Sequence, residues 1–432
     1  MRSYVFLFVL YVAVSSSIGE QESIAVTIYN DDFAMVKDVR SITFDEGNSF
    51  LYFTDVSANI QTETVTFKAL DDPNSIRVFE QNFERNLVNT KSILEKYIEQ
   101  EITIFAEFGD NFRRRTGKLL GYDSGYIMEI GNSINVYNRI AGVEFSGLPD
   151  GFFTKPTLNW KVWSLSERTT PCEVAYRTTG FKWKADYSIS LNQKENRGDL
   201  GGWVTIDNYS GKKYESAKLK LIAGDVNTVR SQPVLRSEAN FAFAKAAPAP
   251  PSFSQKSFAD YHLYTLSSLV TLNESSQKQV EFIPKVYDLP IWKYHEIRIN
   301  SGGYSQERLD ATNKLNFLNG DENGLGIPFP KGIVRVFKED EDDGSLEFIG
   351  EDRIDHTPKD ENITLTTGNA FDIVADKYSE KRERLDNSGS YRAEMNMTVK
   401  NRKDTEAEVI VIYSNGYGDN LKIDWKSNDI EL

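Results

Sequence analysis

The chain has 432 residues and carries 64 acidic against 50 basic side chains, which gives a formal net charge of −14. An acidic chain without a long basic stretch is a poor nucleic-acid binder, so we expect no nucleic-acid partner. A single cysteine excludes a disulfide-rich scaffold and a thiolate zinc cluster, and three histidines leave little room for a histidine metal site. With 40% hydrophobic residues the chain can build real cores, and its length suits roughly two to four domains.

The N-terminus has the pattern of a secretory signal over residues 1–19. Arg2 precedes an apolar run at 4–14, and small residues at the −3 and −1 positions fit a cleavage site before Glu20. The alternative is a buried first strand or helix. No later segment is long and apolar enough to span a membrane, so we expect a secreted, extracellular protein without a transmembrane segment.

Export gives the Asn-x-Ser/Thr triplets a meaning, because they are acceptors for N-linked glycans in a eukaryotic secretory pathway. We expect each to lie on a surface turn or strand edge, although triplets of this kind also arise by chance. The four candidate glycosylation sites are Asn208, Asn273, Asn362 and Asn396.

In chain order, the predicted elements are almost all strands. Residues 20–90 form short alternating runs, with a hairpin signal at 45–48 (DEGN) and helical character only at 87–100. The very short strands of 91–138, spaced by Gly turns, are typical of a small SH3-like barrel. We expect this barrel to be inserted into an N-terminal β domain that resumes at 139–157.

Three consecutive arginines lie within the predicted barrel, in a segment that we expect to be a loop at 109–116. They are Arg113, Arg114 and Arg115. One interpretation is contact with an anion or an acidic glycan. The simpler interpretation is a solvated hairpin tip.

From residue 158 the predicted strands lengthen. Residues 158–299 alternate at the spacing of roughly 8–14 residues that is typical of a β-sandwich. An Ala-, Pro- and Ser-rich stretch at 236–257 has no period and predicts a flexible loop. Residues 300–432 predict a C-terminal β-sandwich. The predicted fold class is therefore all-β, with tandem β-sandwich domains and an inserted small SH3-like barrel.

Two long segments carry a family resemblance. FKWKADYSISL and the strands after it (181–227), and GLGIPFPKGIVRVFKEDEDDG and its continuation (324–377), closely resemble the signature of the mucoidy inhibitor A-like proteins. IYNDDFAMVKDVRSITF (28–44) is similar to the family's N-terminal strands. The resemblance covers most of residues 24–425 and implies the fold and a secreted or envelope context, with no established enzymatic activity.

Two departures from the family pattern bear on these expectations. The long coiled coil of the bacterial members is absent, and the small barrel occupies that region. Family members usually carry further strands after the segment that matches NLKIDWKSNDIEL (420–432), so we expect the last sandwich to be incomplete.

No constellation in the sequence predicts catalysis. There is no Gly-x-Ser-x-Gly, His-Glu-x-x-His or phosphate loop, and Cys172 is expected to be a small buried hydrophobe. We therefore expect no catalytic or cofactor-binding residues and no cofactor. The cluster 351–356 (EDRIDH) would split its ligands between two faces of a strand, which favours ion pairs over a metal site. The acidic turn at 339–344 lacks the spacing of a calcium loop.

The tryptophans are candidates for stacking on sugars, although in sandwiches most belong to the core. Two of them are three residues apart and should face opposite sides of a strand. The six are Trp160, Trp163, Trp183, Trp203, Trp292 and Trp425.

Three functional hypotheses follow. The first is a secreted, non-catalytic structural glycoprotein that self-associates into a homopolymer, with Glu20–Tyr29 donated as a strand to the sheet of 391–425 in the next copy. The second is a cell-surface carbohydrate-binding or adhesion protein with glycans as partners. The third is a hydrolase with a dispersed site. The expected core residues of the acceptor sheet are Met395, Met397, Val409, Val411 and Tyr413.

Overall fold

The structure is a computed structural model. It describes residues 17–84, 89–108, 111–148, 152–224, 253–258, 261–300, 306–385 and 391–414. The predicted all-β class is confirmed, because these residues are nearly all in strands. The predicted secretory signal lies outside the described residues up to position 16, and the predicted loop 236–257 lies outside them up to position 252.

The N-terminal third of the chain contains ten strands and the one α-helix of the described residues. The helix α1 begins after Asn89, whose side chain accepts a hydrogen bond from the amide of Ser92, and it confirms the predicted helical character. The elements are β1 (Ser17–Ile28), β2 (Phe33–Phe44), β3 (Gly47–Thr54), β4 (Ile60–Ala69), β5 (Ile76–Glu84), α1 (Thr90–Lys96), β6 (Glu101–Phe108), β7 (Asn111–Gly121), β8 (Tyr126–Ile130), β9 (Ser133–Tyr137) and β10 (Ile140–Glu144).

The rest of the described chain adds sixteen strands and one turn of 3-10 helix at Asp321–Asn323. The strands are β11 (Thr157–Ser164), β12 (Arg168–Thr179), β13 (Phe181–Leu191), β14 (Arg197–Asn208), β15 (Tyr214–Ala223), β16 (Phe253–Phe258), β17 (Tyr261–Leu266), β18 (Val270–Leu272), β19 (Ser276–Pro290), β20 (Trp292–Asn300), β21 (Gln306–Leu318), β22 (Gly332–Glu339), β23 (Leu346–Ile354), β24 (Asn362–Arg384), β25 (Tyr391–Asn401) and β26 (Val409–Ser414).

Three sheets enclose the main hydrophobic core. They are an eight-stranded sheet (β16-β17-β15-β1-β2-β12-β4, with β18 on β15), a three-stranded sheet (β3-β11-β5) and a five-stranded sheet (β19-β14-β13-β22-β23). Aromatic pairs join them: the rings of Phe67 and Trp160 lie 5.5 Å apart, and those of Tyr264 and Phe282 lie 5.0 Å apart. The three layers therefore share one core, to which side chains from all three contribute.

The structure groups the strands differently from the expected domains. Strands of the segment 20–90 and strands of 158–299 lie side by side in the eight-stranded sheet, so the two segments do not have separate cores. Likewise, β22 and β23 belong to the sheet of β13, although the expected boundary at residue 300 placed them in the next domain. The turn at 45–48 connects two different sheets rather than forming a hairpin.

The expected donor strand is already used within its own chain. β1 pairs with β2 along its length and, over Ala25–Ile28, in parallel with β15. Val26 and Ile28 are fully buried. The expectation that Glu20–Tyr29 is donated to another copy is wrong, because this segment forms an inner strand of its own sheet.

The small barrel is a five-stranded sheet in the order β10-β6-β7-β8-β9, closed at one end by α1 around a separate cluster that includes Leu94, Ile104 and Met128. It extends to Glu144, past the expected boundary at 138, because β10 pairs with β6. Among the described residues β9 pairs only with β8, so the sheet stays open between β9 and β10.

The C-terminal sheet has the order β25-β24-β21-β20-β26. One part of this sheet contributes side chains of β21 and β24 to the main core. Another part carries a small separate cluster around Ile297, Ala311 and Ile373. In the described part of the chain β25 and β26 are edge strands, each paired on one side only.

The expected core of this sheet is only partly present. Met397 and Val409 pack, half-buried, against the cluster around Ile297. Val411 is exposed. The side chains of Met395 and Tyr413 lie outside the described part.

Candidate functional site

The outer face of the five-stranded sheet of the main body carries a row of polar side chains around one exposed tryptophan. Strand alternation explains the placement: on β13, Ala185 and Tyr187 point into the core, while Lys184 and Asp186 point outward. We call this surface the Trp203 face; it is formed by outward residues of β19, β14, β13 and β22.

Trp203 forms one wall of a shallow depression of about 340 Å³. Its side chain is 47% exposed, and it lies opposite Asp186 on β13. Gly201, two residues earlier on the same face, has open space where a side chain would stand, apart from Ser188 Oγ at 4.0 Å. The missing side chain keeps the space beside the indole ring free.

The floor of the depression is a chain of hydrogen bonds across the sheet. Thr205 Oγ1 donates to Asp186 Oδ2 at 3.3 Å, and Gln279 Nε2 donates to Thr205 Oγ1 at 3.3 Å. Arg335 donates to Asp186 Oδ1 at 3.0 Å and lies 3.4 Å from Glu351. These bonds fix the positions of the polar side chains before any ligand arrives.

The arrangement suits binding better than catalysis. An exposed indole offers an apolar platform, and the amide, carboxylate, guanidinium and hydroxyl groups beside it can donate and accept hydrogen bonds in one plane. The residues that line the depression include Ser188 but no histidine or cysteine, so a nucleophile with an adjacent histidine base is not formed there.

The other tryptophans occupy different environments. Trp160 is fully buried and Trp163 is half-exposed, which confirms that the two face opposite sides. Trp183 is buried, and Trp425 lies outside the described residues. Trp292 is 46% exposed, but its Nε1 donates to Glu408 at 2.8 Å and its ring packs on Tyr294.

The sequence pattern alone could have predicted that Trp203 lies on the solvent-exposed face of its strand. In GGWVTIDN (201–208), Trp203 alternates with Thr205 and Asp207, and a residue in register with two polar residues belongs to the solvent face. Asp186 and Arg335 were not predicted as neighbours, because β13 and β22 are far apart in sequence and pair in parallel.

The candidate glycan sites separate into two groups. Asn273 lies exposed in the turn before β19, Asn362 is exposed at the start of β24, and Asn396 is exposed on β25. Asn208 is only 1% exposed.

The amide nitrogen of Asn208 is fully engaged inside the protein. It donates to the carbonyl oxygens of Lys212 and Asn273 at 2.9 and 3.0 Å and, at 3.3 Å, to that of Leu272. A glycan needs this same nitrogen, so the folded structure contradicts Asn208 as a glycan site.

The cluster 351–356 forms separate local contacts. Glu351 pairs with Arg335, while Asp352 accepts hydrogen bonds from the amides of Arg353 at 2.8 Å and Thr366 at 2.7 Å. Across the described residues, no group of three or more His, Cys, Asp and Glu side chains is placed to hold a metal ion.

Cys172 is buried, as predicted. Burial, helped by the negative charge of Asp71, raises the pKa of its thiol to about 12. A thiol with such a pKa stays protonated at neutral pH and is a poor nucleophile.

Sequence reasoning missed a set of buried charges in the main body. Arg40 forms two hydrogen bonds with the fully buried Asp38, of 2.7 and 3.2 Å, and stacks over Phe53. Lys212 contacts the carboxylate of Asp55 at 2.9 Å. Burial lowers the pKa of Lys212, and hydrogen bonding to Asp55 acts in the opposite direction.

These charges are paired, and all of them except Asp55, which is 40% exposed, are buried. They therefore hold the layers of the main body together and offer no surface to a ligand.

Comparisons with known proteins add little to this picture. No family model matches the chain, and no curated protein matches it. Among solved structures, the chain is similar to a C-terminally truncated trimeric ectodomain of the C. elegans fusion protein EFF-1. The identity is 8%, the match covers 92% of this chain and 99% of that one, and the TM-score is 0.13. At that TM-score the likeness carries no argument about fold or function.

Proposed function

We propose that the protein is an extracellular, non-catalytic carbohydrate-binding protein and that the Trp203 face is its sugar-binding surface. The observation that carries the proposal is the exposed Trp203 ring beside a fixed row of polar side chains. A sugar ring has an apolar C–H face and an equatorial belt of hydroxyl groups. The indole matches the first, and Asp186, Gln279 and Arg335 match the second, with the buried Thr205 holding Asp186 and Gln279 in place.

The extracellular part of the proposal has separate support. The N-terminal sequence has the order of a secretory signal, and the asparagines of three of the four glycan triplets are exposed. No helix of the described residues has the length and apolar character needed to cross a membrane. Membership of the mucoidy inhibitor A-like family stays a prediction, and it brings no activity to the proposal.

Affinity electrophoresis in gels that contain hydroxyethyl cellulose, laminarin or mannan tests the proposal. We expect at least one polysaccharide to retard the wild-type chain, and Trp203→Ala to weaken that binding roughly tenfold or more, since aromatic stacking contributes about 0.5–1.5 kcal/mol beyond the buried area. Trp292→Ala is the matched control, because it removes an equally exposed tryptophan outside the depression. Both variants should keep the wild-type melting temperature to within a few degrees.

Two results would contradict the proposal. One is the absence of retardation by every polysaccharide, followed by a glycan array without signal. The other is equal weakening by both substitutions, which would indicate non-specific contact with exposed indoles.

A second candidate function is self-association as an extracellular structural protein. It is favoured by the C-terminal sheet, whose described strands include two edges, β25 and β26, and whose small buried apolar cluster is flanked by the half-buried Met397 and Val409. An edge strand offers unpaired N–H and C=O groups to a strand of another copy. With β1 excluded as the donor, the contact that we propose joins sheet edges directly.

A further inference from the structure

A second concave surface lies at the open end of the small barrel. It is a cleft of about 910 Å³ between the C-terminal end of β6, together with Arg115 of β7, and the segment that connects β9 to β10. Arg115 and Phe108 line one side, and Asn135, Tyr137 and Arg139 line the other. We call it the barrel cleft. It shares no lining residue with the Trp203 face.

Strand alternation divides the three consecutive arginines between two faces. The run lies on β7, not in the predicted loop, and its first residue pairs with Ala106 and its last with Ile104, both in the barrel core. Arg113 and Arg115 therefore stand on the inner face of the hairpin. Arg114 stands on the outer face, where it forms an ion pair with Glu144 at 3.2 Å.

The inner arginines are held in place by an aromatic ring. The guanidinium carbons of Arg113 and Arg115 lie 5.0 and 5.5 Å from the ring centroid of Phe108. Stacking of this kind orders a guanidinium and leaves its N–H groups free to bind an acceptor. Within the described part of the chain, no carboxylate lies within ion-pair distance of Arg113, Arg115 or Arg139.

The charge in the cleft opposes the charge of the molecule. The chain as a whole carries −14, whereas the described residues that line the cleft include two arginines, Arg115 and Arg139, against one carboxylate, that of the exposed Glu107, and Arg113 stacks on the lining ring of Phe108. The cleft is therefore a local positive site on an acidic protein. Repulsion from distant acids is screened beyond about 8 Å at physiological salt, so a short anionic ligand can still approach.

The uncharged lining residues narrow the ligand class. Asn135, Asn138 and Ser133 offer amide and hydroxyl groups that bind hydroxyls, and Tyr137 adds an aromatic wall with a phenol. An arginine fork binds carboxylate or sulfate groups through two parallel bonds. We propose that the barrel cleft binds an acidic glycan, that is, a sugar chain that bears carboxylate or sulfate groups.

Isothermal titration of the full chain with three oligosaccharide probes tests this proposal. They are heparin fragments, which are sulfated, oligogalacturonate, which is carboxylated, and cello-oligosaccharide, which is neutral. We expect one acidic probe to bind and to weaken as salt rises, and Arg115→Gln to lower its affinity roughly tenfold or more. The sulfated and carboxylated probes distinguish the two sources of negative charge.

Arg114→Gln is the matched control. It removes the same charge from the adjacent residue of the same strand, but on the outer face, and should change the affinity less than about twofold. Asn135→Ala should weaken binding of the acidic probe without changing the net charge. Circular dichroism melting should show that all three variants remain folded.

Three outcomes would overturn the proposal: equal losses in Arg114→Gln and Arg115→Gln, no binding of either acidic probe, or a single-stranded DNA of matched charge that binds as tightly as the glycan. Trp203→Ala should leave binding of the acidic probe unchanged, because that residue lies in the other site; loss of acidic-probe binding in this variant would also overturn the proposal.

Discussion

At the scale of single residues, the buried His295 makes the folded protein less stable at acidic pH. It lies on β20 and is only 3% exposed. Burial, helped by the positive charges of Lys403 and Lys293, lowers its pKa to about 4. The folded protein therefore holds a neutral imidazole at pH values where the unfolded chain already binds a proton.

We expect the free energy of unfolding to fall as the pH drops from about 6.5 towards about 4. In this window the unfolded state binds the proton more readily, which costs the folded state about 1.4 kcal/mol per pH unit. Urea unfolding at several pH values should show that His295→Gln removes this part of the loss, while His262→Gln retains it. An identical pH dependence in His295→Gln and the wild type would contradict the prediction.

Asn208 gives a second prediction at this scale. Glycopeptide mass spectrometry of eukaryotic material should find sugar on one or more of Asn273, Asn362 and Asn396, and none on Asn208. Asn208→Gln should lower the free energy of unfolding by about 2 kcal/mol, because two buried carbonyl oxygens and one part-buried carbonyl oxygen lose their donor. Asn273→Gln, at an exposed turn, should change it by less than about 0.5 kcal/mol. Sugar on Asn208 of a folded chain would show that its burial is wrong.

At the scale of elements, the sequence pattern predicted strands well and their partners poorly. The alternation of β13 and β14 is visible in the sequence, as is the turn between β22 and β23. The arginine run was expected in a loop because three consecutive charges are typical of a hairpin tip. They lie instead within β7, which can hold charges on both faces because both faces are exposed to solvent near its start. The turn at 45–48 has hairpin residues, but turn chemistry cannot specify whether the flanking strands share a sheet.

The edge strand β25 permits a test of self-association. In sedimentation velocity of protein made without glycans, we expect the average mass to rise with concentration. Asn396→Lys should lower the association constant roughly fivefold or more, because a charge on an edge strand opposes pairing with another copy. Asn316→Lys is the matched control, since β21 is paired on both sides at this residue, with Trp292 of β20 and Thr364 of β24. A chain that stays monomeric, or an equal effect of both substitutions, would argue against edge pairing.

At the scale of the whole molecule, the all-β class was predictable and the domain boundaries were not. Residues 20–90 and 158–299 look like separate β blocks, because periodicity reports only which side chains of a strand are buried. The local sequence of a strand does not reveal its distant partner, as in the pairing of β1 with β15 or of β13 with β22. The Trp203 face was equally hidden, because its four strands come from three separate parts of the chain.

The inner position of β1 has a consequence for how the chain is made. β1 can pair with its parallel partner β15 only after about two hundred further residues have been synthesised. β13 can pair with β22 only after β19 and β21 have also been synthesised. Such distant pairings slow folding and expose unpaired apolar strands meanwhile. The nascent chain cannot complete its main core from the N-terminus onward, so most of it must leave the ribosome before the eight-stranded sheet closes.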